Sequence, residues 1–126
     1  MYIRLYKEGE IIMSDCLFCK IAAREIPSAV VYEDDAILAF KDISPQAPVH
    51  VLIIPKQHLT SAMDLNEENA DLISKIFLTA SKLAREFGID QSGFRIVNNC
   101  GKDGGQSVGH IHFHLLGGRE LGWPPG

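Results

Sequence analysis

Hydrophobic residues recur at two spacings along the chain, and the change of spacing marks the elements. Leu72, Ile73, Ile76, Phe77, Ala80, Leu83, Ala84 and Phe87 repeat at three-four intervals, which is one face of a helix. Asp64 or Asn66 can cap its start, and Gly88 suits the position just past its end. Asp15 can cap a short helix over about 16–23, which the break at Pro27 follows. The remaining apolar runs are short and predict strands. Ala29–Glu33 and 36–40 flank the turn signal Asp34-Asp35 and suggest a hairpin. Val49 to Ile54 is almost continuously apolar and suits a buried strand ended by Pro55. Gly93 to Asn98 reads as another strand. His110 to Leu116 alternates and reads as the last. Two helices, about five strands and short links argue for an α+β domain with a mainly antiparallel sheet.

The 126 residues fit one domain, and 46% of them are hydrophobic. The net charge of −4 gives no basic footprint for nucleic acid or an anionic membrane. No apolar run approaches the roughly 20 residues that span a bilayer. Met1 to Ile12 lacks the apolar core of a signal peptide, and Met13 resembles a second start. Residues 1–13 are therefore expected to be a flexible extension and 14–126 the domain. A cytoplasmic location follows as the expectation, with Cys16, Cys19 and Cys100 reduced.

The chemistry concentrates near the C-terminus. Alternate residues of a strand share a face, so His110, His112 and His114 are expected to form a row on the open side of the sheet. Successive Cα atoms in that row lie roughly 6.5–7 Å apart. Ile111, Phe113 and Leu115 would face the core. Neutral imidazole is a nucleophile at pH 7 and a proton donor when protonated. The preceding loop, Asn99 to Gly109, holds four glycines. Its Gly104-Gly-Gln-Ser-Val-Gly109 stretch can turn several backbone N–H groups on an anion. Residue types and spacing leave two readings open, chemistry at a phosphate or a shared metal ion. Cys16-Leu-Phe-Cys19 is half of a zinc site or a redox pair, although the strand–helix context of a redox pair is missing.

The pattern His–apolar–His–apolar–His–apolar–apolar at 110–116 resembles the defining motif of the histidine-triad (HIT) family. Asp42-Ile-Ser-Pro-Gln-Ala-Pro-Val-His50, Asp103-Gly-Gly-Gln-Ser107 and Trp123-Pro-Pro-Gly126 are similar to its nucleotide-binding Hint branch. The Trp-Pro-Pro-Gly tail favours that branch over the dinucleoside-polyphosphate hydrolases. The resemblance implies a HIT-like fold with a five-stranded antiparallel sheet and two helices, and a homodimer with one ten-stranded sheet. It implies hydrolysis of purine nucleoside phosphoramidates to AMP or GMP and an amine, with aminoacyl adenylates as related substrates. Dinucleoside-polyphosphate hydrolysis, nucleotidyl transfer and a nucleotide-binding scaffold are the alternatives.

By the same resemblance His112 attacks the α-phosphorus and carries the nucleotidyl group, and His114 hydrogen-bonds the phosphate. Ser107 contacts the phosphate and bridging atom, with Gly105, Gln106, Val108 and Asn99 on the phosphate side. His50 and His110 support the nucleophile. Asp42 resembles the ribose ligand, although it also reads as a turn residue. Phe18, Ile21, Phe40, Ile43 and Leu52 match the base slot and equally read as core. Trp123 is expected at the partner subunit's site or as a dimer contact. The implied metal set is Cys16, Cys19, His50 and His110 around a structural zinc, with no cofactor for catalysis.

Overall fold

The computed structural model describes residues 15–126, together with the backbone of the first two strands, β1 (Arg4–Lys7) and β2 (Glu10–Met13). These two pair antiparallel in a small sheet of their own, with Arg4 opposite Met13. The flexibility expected of residues 1–13 otherwise falls outside the described residues.

The main sheet has five antiparallel strands, β3 (Val30–Glu33), β4 (Ile37–Lys41), β5 (Val49–Pro55), β6 (Phe94–Asn98) and β7 (Phe113–Gly117). Their spatial order is β3-β4-β5-β7-β6. Helix α1 (Leu17–Ala22) and helix α2 (Asp71–Glu86) complete the domain. Strands β4 and β5 are almost wholly apolar, with only Lys41 and His50 polar, because both faces of the sheet are covered. Ile37, Ala39, Val51, Ile53, Phe113 and Leu115 pack with Ile76, Ala80, Leu83 and Ala84 of α2. Leu38, Phe40, Leu52 and Ile54 pack with Cys16, Phe18, Cys19 and Ile21 around α1. Each such large side chain stabilises the fold by about 1.5–3 kcal/mol through burial.

Helix ends depart from the expected caps. Cys16 caps α1 in place of Asp15, its Sγ accepting from the Cys19 N–H at 3.4 Å. Helix α2 starts at Asp71 with no side-chain cap. Asp64 and Asn66 instead build the turn before it, accepting from the backbone of Thr60, Glu68 and Asn69. Its end is as expected. Gly88 takes φ +71°, and the N–H groups of Gly88 and Ile89 reach back to Arg85 and Ala84. This double bond satisfies two carbonyls the helix leaves open.

The last strand also differs from its sequence reading. It begins at Phe113, not His110, because pairing ends there on both sides, at Ile53 of β5 and Asn98 of β6. The backbone of 110–112 finds other partners. Ile111 N–H donates to Leu59 O, and the carbonyls of His110 and His112 accept from side chains of His112 and Asn98. Alternation survives without the ladder, but the histidine face is not open. Helix α1 covers it, and His110 and His112 are buried.

Candidate active site

Helix α1, the sheet face beneath it and the loop before His110 enclose a cavity of about 400 Å³, a size typical of small-molecule sites. Phe18 and Ile21 from α1, Phe40 from β4 and Leu52 from β5 form apolar walls. Asp42, Ser107, His112 and His114 bring polar groups to it. The aromatic ring of Phe18 stands edge-on to Phe40 and to His112, with centroids 5.5 and 5.1 Å apart. The same side chain therefore walls the cavity and buttresses an imidazole.

Fixed partners set the proton position on each ring. A carbonyl oxygen can only accept, so the 2.8 Å contact of His112 Nδ1 with His110 O places the proton on Nδ1. The lone pair of His112 is then on Nε2. The second ring is set by a chain of bonds. Gln46 N–H donates to His50 Nδ1 at 3.0 Å, so His50 carries its proton on Nε2. That Nε2–H donates to His114 Nδ1 at 2.8 Å, leaving the His114 proton on Nε2. The site thus holds one imidazole with a nucleophilic nitrogen and one with an N–H donor. Burial lowers the pKa of both below the ordinary histidine value, to about 4 for His114, where nearby His112 and His50 add to the effect. Burial also lowers His50, against the opposing pull of Asp42. All three rings are neutral at pH 7, as these hydrogen bonds require.

Asp42 is the turn residue its position suggested, and it also lies at the cavity. Its Oδ1 accepts from Ser44 N–H at 2.7 Å, closing the turn, while Oδ2 lies 3.4 Å from His50 Nε2 at the cavity wall.

A second cluster lies behind the nucleophile. Cys16, Cys19, His58 and His110 bring their ligand atoms within 4.8 Å of one another. His110 Nε2 donates to Pro55 O at 2.8 Å, so the lone pair of Nδ1 faces the sulfurs. Nδ1 is 3.5 Å from both Sγ atoms, and His58 Nδ1 is 3.3 Å from Cys19 Sγ. Bonds of about 2.3 Å to sulfur and 2.0 Å to nitrogen put S and N about 3.5 Å apart at a tetrahedral zinc. The donor set and its spacing fit that ion. The Cys16 thiol is held well below its ordinary pKa, first by the hydrogen bond from Cys19 and further by His110, against burial. This favours the thiolate that a metal needs. His50, expected as the fourth ligand, is not there. It is engaged with Gln46, His114 and Asp42, and His58 fills the place.

The HIT domain model matches residues 23–121. The chain belongs to the HIT family. A 14 kDa zinc-binding protein of Brassica juncea is 53% identical over 89% of this chain and 100% of its own length. Adenylylsulfatase HINT1 of Arabidopsis thaliana is 50% identical over 90% of this chain and 78% of its own. The crystal structure of a HIT family hydrolase from Legionella pneumophila Philadelphia 1 superposes with TM-score 0.87 at 54% identity, covering 89% of this chain and all of that one. The five-stranded sheet with two helices is the HIT fold, and the chain is a HIT family hydrolase.

In this HIT domain the cavity gathers Phe18, Ile21, Phe40, Asp42, Ile43, Leu52, Ser107, Val108, His112 and His114. Four expected nucleotide contacts are not among its walls. Gln106 spends its amide on the backbone, bonding Thr60 O, Val108 O and Gly101 N, and so shapes the loop. Gly105 takes φ +77° in a turn. Asn99 does not line it, and neighbouring Asn98 instead holds the His112 carbonyl at 2.9 Å. Trp123 is exposed on a tail that Arg95 anchors through Gly122 O. Sequence reasoning missed Asn98 and His58, and also Lys41, Ile26, Pro27 and Ser28 at the cavity. His58 had a signal, since a Cys pair needs two more ligands and it was the one histidine left unassigned.

Proposed function

We propose that this HIT hydrolase cleaves purine nucleoside phosphoramidates to a nucleoside monophosphate and an amine, and the related aminoacyl adenylates to a nucleoside monophosphate and an amino acid. The observation that carries the reading is the opposite protonation of His112 and His114 at one cavity. His112 Nε2 attacks the α-phosphorus and the bond from phosphorus to the amine nitrogen breaks. The amine leaves with the bonding pair and takes one proton from solvent water. A water molecule then attacks the phosphorus, Nε2 recovers its lone pair, and the attacking water returns one proton to solvent. Splitting the transfer gives each step a competent nucleophile and leaving group. His114 Nε2–H and the Ser107 loop stabilise charge on the phosphoryl oxygens. Phe18, Ile21, Phe40 and Leu52 hold the base, and Asp42 Oδ2 accepts from the ribose.

The same reading has the protein working as a cytosolic homodimer in which Trp123 reaches the partner's site. Cys16, Cys19, His58 and His110 hold a structural zinc that supplies rigidity behind the nucleophile and takes no part in bond making.

The test offers an adenosine phosphoramidate, adenylyl sulfate, a diadenosine polyphosphate and a nucleotide sugar to wild type and His112→Ala. The phosphoramidate is expected to turn over fastest, with activity lost in His112→Ala and a nucleotidyl adduct trapped in slow His114→Ala. A faster polyphosphate or sulfate substrate replaces the proposed one. Binding without turnover of any substrate favours a scaffold role.

A further inference from the structure

The Gly118-Arg119 segment follows β7 and has no part in the scheme above, yet it reaches the far end of the histidine chain. Gly118 takes φ +90°, and a Cβ there would come within 2.9 Å of Pro48 Cβ. The turn is therefore pressed against the 44–48 loop. This seats the Arg119 guanidinium on the Gln46 carbonyl, with Nε at 3.1 Å and Nη2 at 3.0 Å. Its third nitrogen, Nη1, donates to Glu120 O.

Gln46 is thus held through both of its peptide groups. The carbonyl on one side is clamped by Arg119, and the N–H on the other donates to His50 Nδ1. Pro45 and Pro48 remove two competing donors from the loop and fix φ there. The Gln46 side chain adds a bond to Ser44 O at 3.0 Å.

We propose that Arg119 is a positioning residue for His114, acting through Gln46 and His50, in the reaction proposed above. Hydrogen bonds from an ionised donor are stronger than neutral ones, and here two guanidinium nitrogens held in one plane converge on a single carbonyl oxygen. While the Gln46 N–H faces Nδ1, a proton on that nitrogen of His50 is excluded. His50 must then donate from Nε2, and His114 must present its own Nε2–H to the anion. If Gln46 rotates away, His50 Nδ1 is free to take the proton. Its Nε2 then presents a lone pair to His114 Nδ1, His114 carries its proton on Nδ1 to donate to it, and the Nε2–H donor at the site is lost for that fraction of molecules. Outer partners that fix a ring's tautomer are commonly worth roughly 10–100-fold in activity.

The test reads the tautomers directly. Long-range ¹H–¹⁵N NMR of the imidazoles in the substrate-free, full-length protein is expected to show His50 and His114 protonated at Nε2 alone. In Arg119→Ala a second His50 tautomer appears, and kcat on the phosphoramidate falls about tenfold while KM stays nearly constant. Arg119→Lys, which keeps the charge without the fork, lies between. Gln46→Pro removes the N–H itself and reproduces the tautomer change with Arg119 intact, so it carries the test if Arg119→Ala does not fold. Unchanged His50 and His114 tautomers in folded Arg119→Ala overturn the proposal, whatever happens to rate. The NMR result stands apart from the substrate assignment. A wild type inert toward phosphoramidates refutes that assignment and leaves the tautomer test in force.

Discussion

Replacing His58 and His50 in turn separates the two histidine clusters. In His58→Ala the Cys16–Cys19–His110 set loses its fourth donor, and the metal must complete its shell with water. Even outer partners of ligating residues cost roughly 10–100-fold in metal affinity when removed, so loss of a ligand is expected to exceed that. Binding to the native state alone stabilises by RT ln(1 + [L]/Kd), about 2.7 kcal/mol at a hundredfold excess over Kd. For a domain of this size that corresponds to roughly 10 °C in Tm. Wild type in excess zinc is expected to lose about that much on chelation. His58→Ala should melt near the chelated wild type at the same zinc concentration. His50→Ala should keep one zinc per chain and the zinc-dependent rise in Tm, while losing turnover through His114. The assays are metal analysis of freshly reduced protein, cobalt(II) absorption for thiolate and imidazole ligation, and calorimetry with and without chelator. Full zinc content in His58→Ala, or its loss in His50→Ala, would refute the assignment drawn from these distances.

Two further outcomes follow from the histidine environment. His50, His112 and His114 have lowered pKa values, so between the unfolded value near 6.5 and the native value of about 4 for His114, the unfolded chain binds more protons. Their contribution is complete above pH 6.5 and is lost as pH falls toward 4. Tm at fixed ionic strength should therefore drop across this window, and His114→Asn should drop less. Equal slopes for the two proteins contradict it. Asn98→Ala leaves the buried His112 carbonyl without its 2.9 Å donor, at a cost of about 1–3 kcal/mol. Urea unfolding should show this together with a fall in kcat, and an unchanged midpoint would remove Asn98 from the support of the nucleophile.

The sequence pattern identified what periodicity controls. The α2 face, the Gly88 terminus and the buried β5 run were all legible, because one register satisfies each. Strand limits near the histidines were not, since β7 loses both its ladders at Phe113 and the backbone of 110–112 finds partners outside the sheet. Alternation still set which way each residue points. It could not show that α1 covers the histidine face, which depends on long-range packing of Phe18 and Ile21. The metal set failed at one position for a related reason. His50 and His58 lie eight residues apart on and just past one strand, and only the folded chain shows that His50 meets His114 diagonally across β5 and β7 while His58 turns back to the cysteines. Asn98 was passed over for its neighbour because identical side chains give no hint of which one points at His112.

His110 carries three separate obligations in one residue. Its Nδ1 faces the thiols, its Nε2–H ties to Pro55, and its carbonyl holds the His112 proton. The constraint that follows is on redesign. A version of this protein freed from metal need not rebuild a tetrahedral site. It must meet two hydrogen-bonding demands, the Nδ1 atoms of His110 and His58, and fill the volume of two sulfurs. Cys16→Ser with Cys19→Ser offers the simplest chemistry for that. Residue 110 itself is another matter: its main-chain duty would survive almost any substitution, but only an imidazole can reach Pro55 and the residue at 16 together.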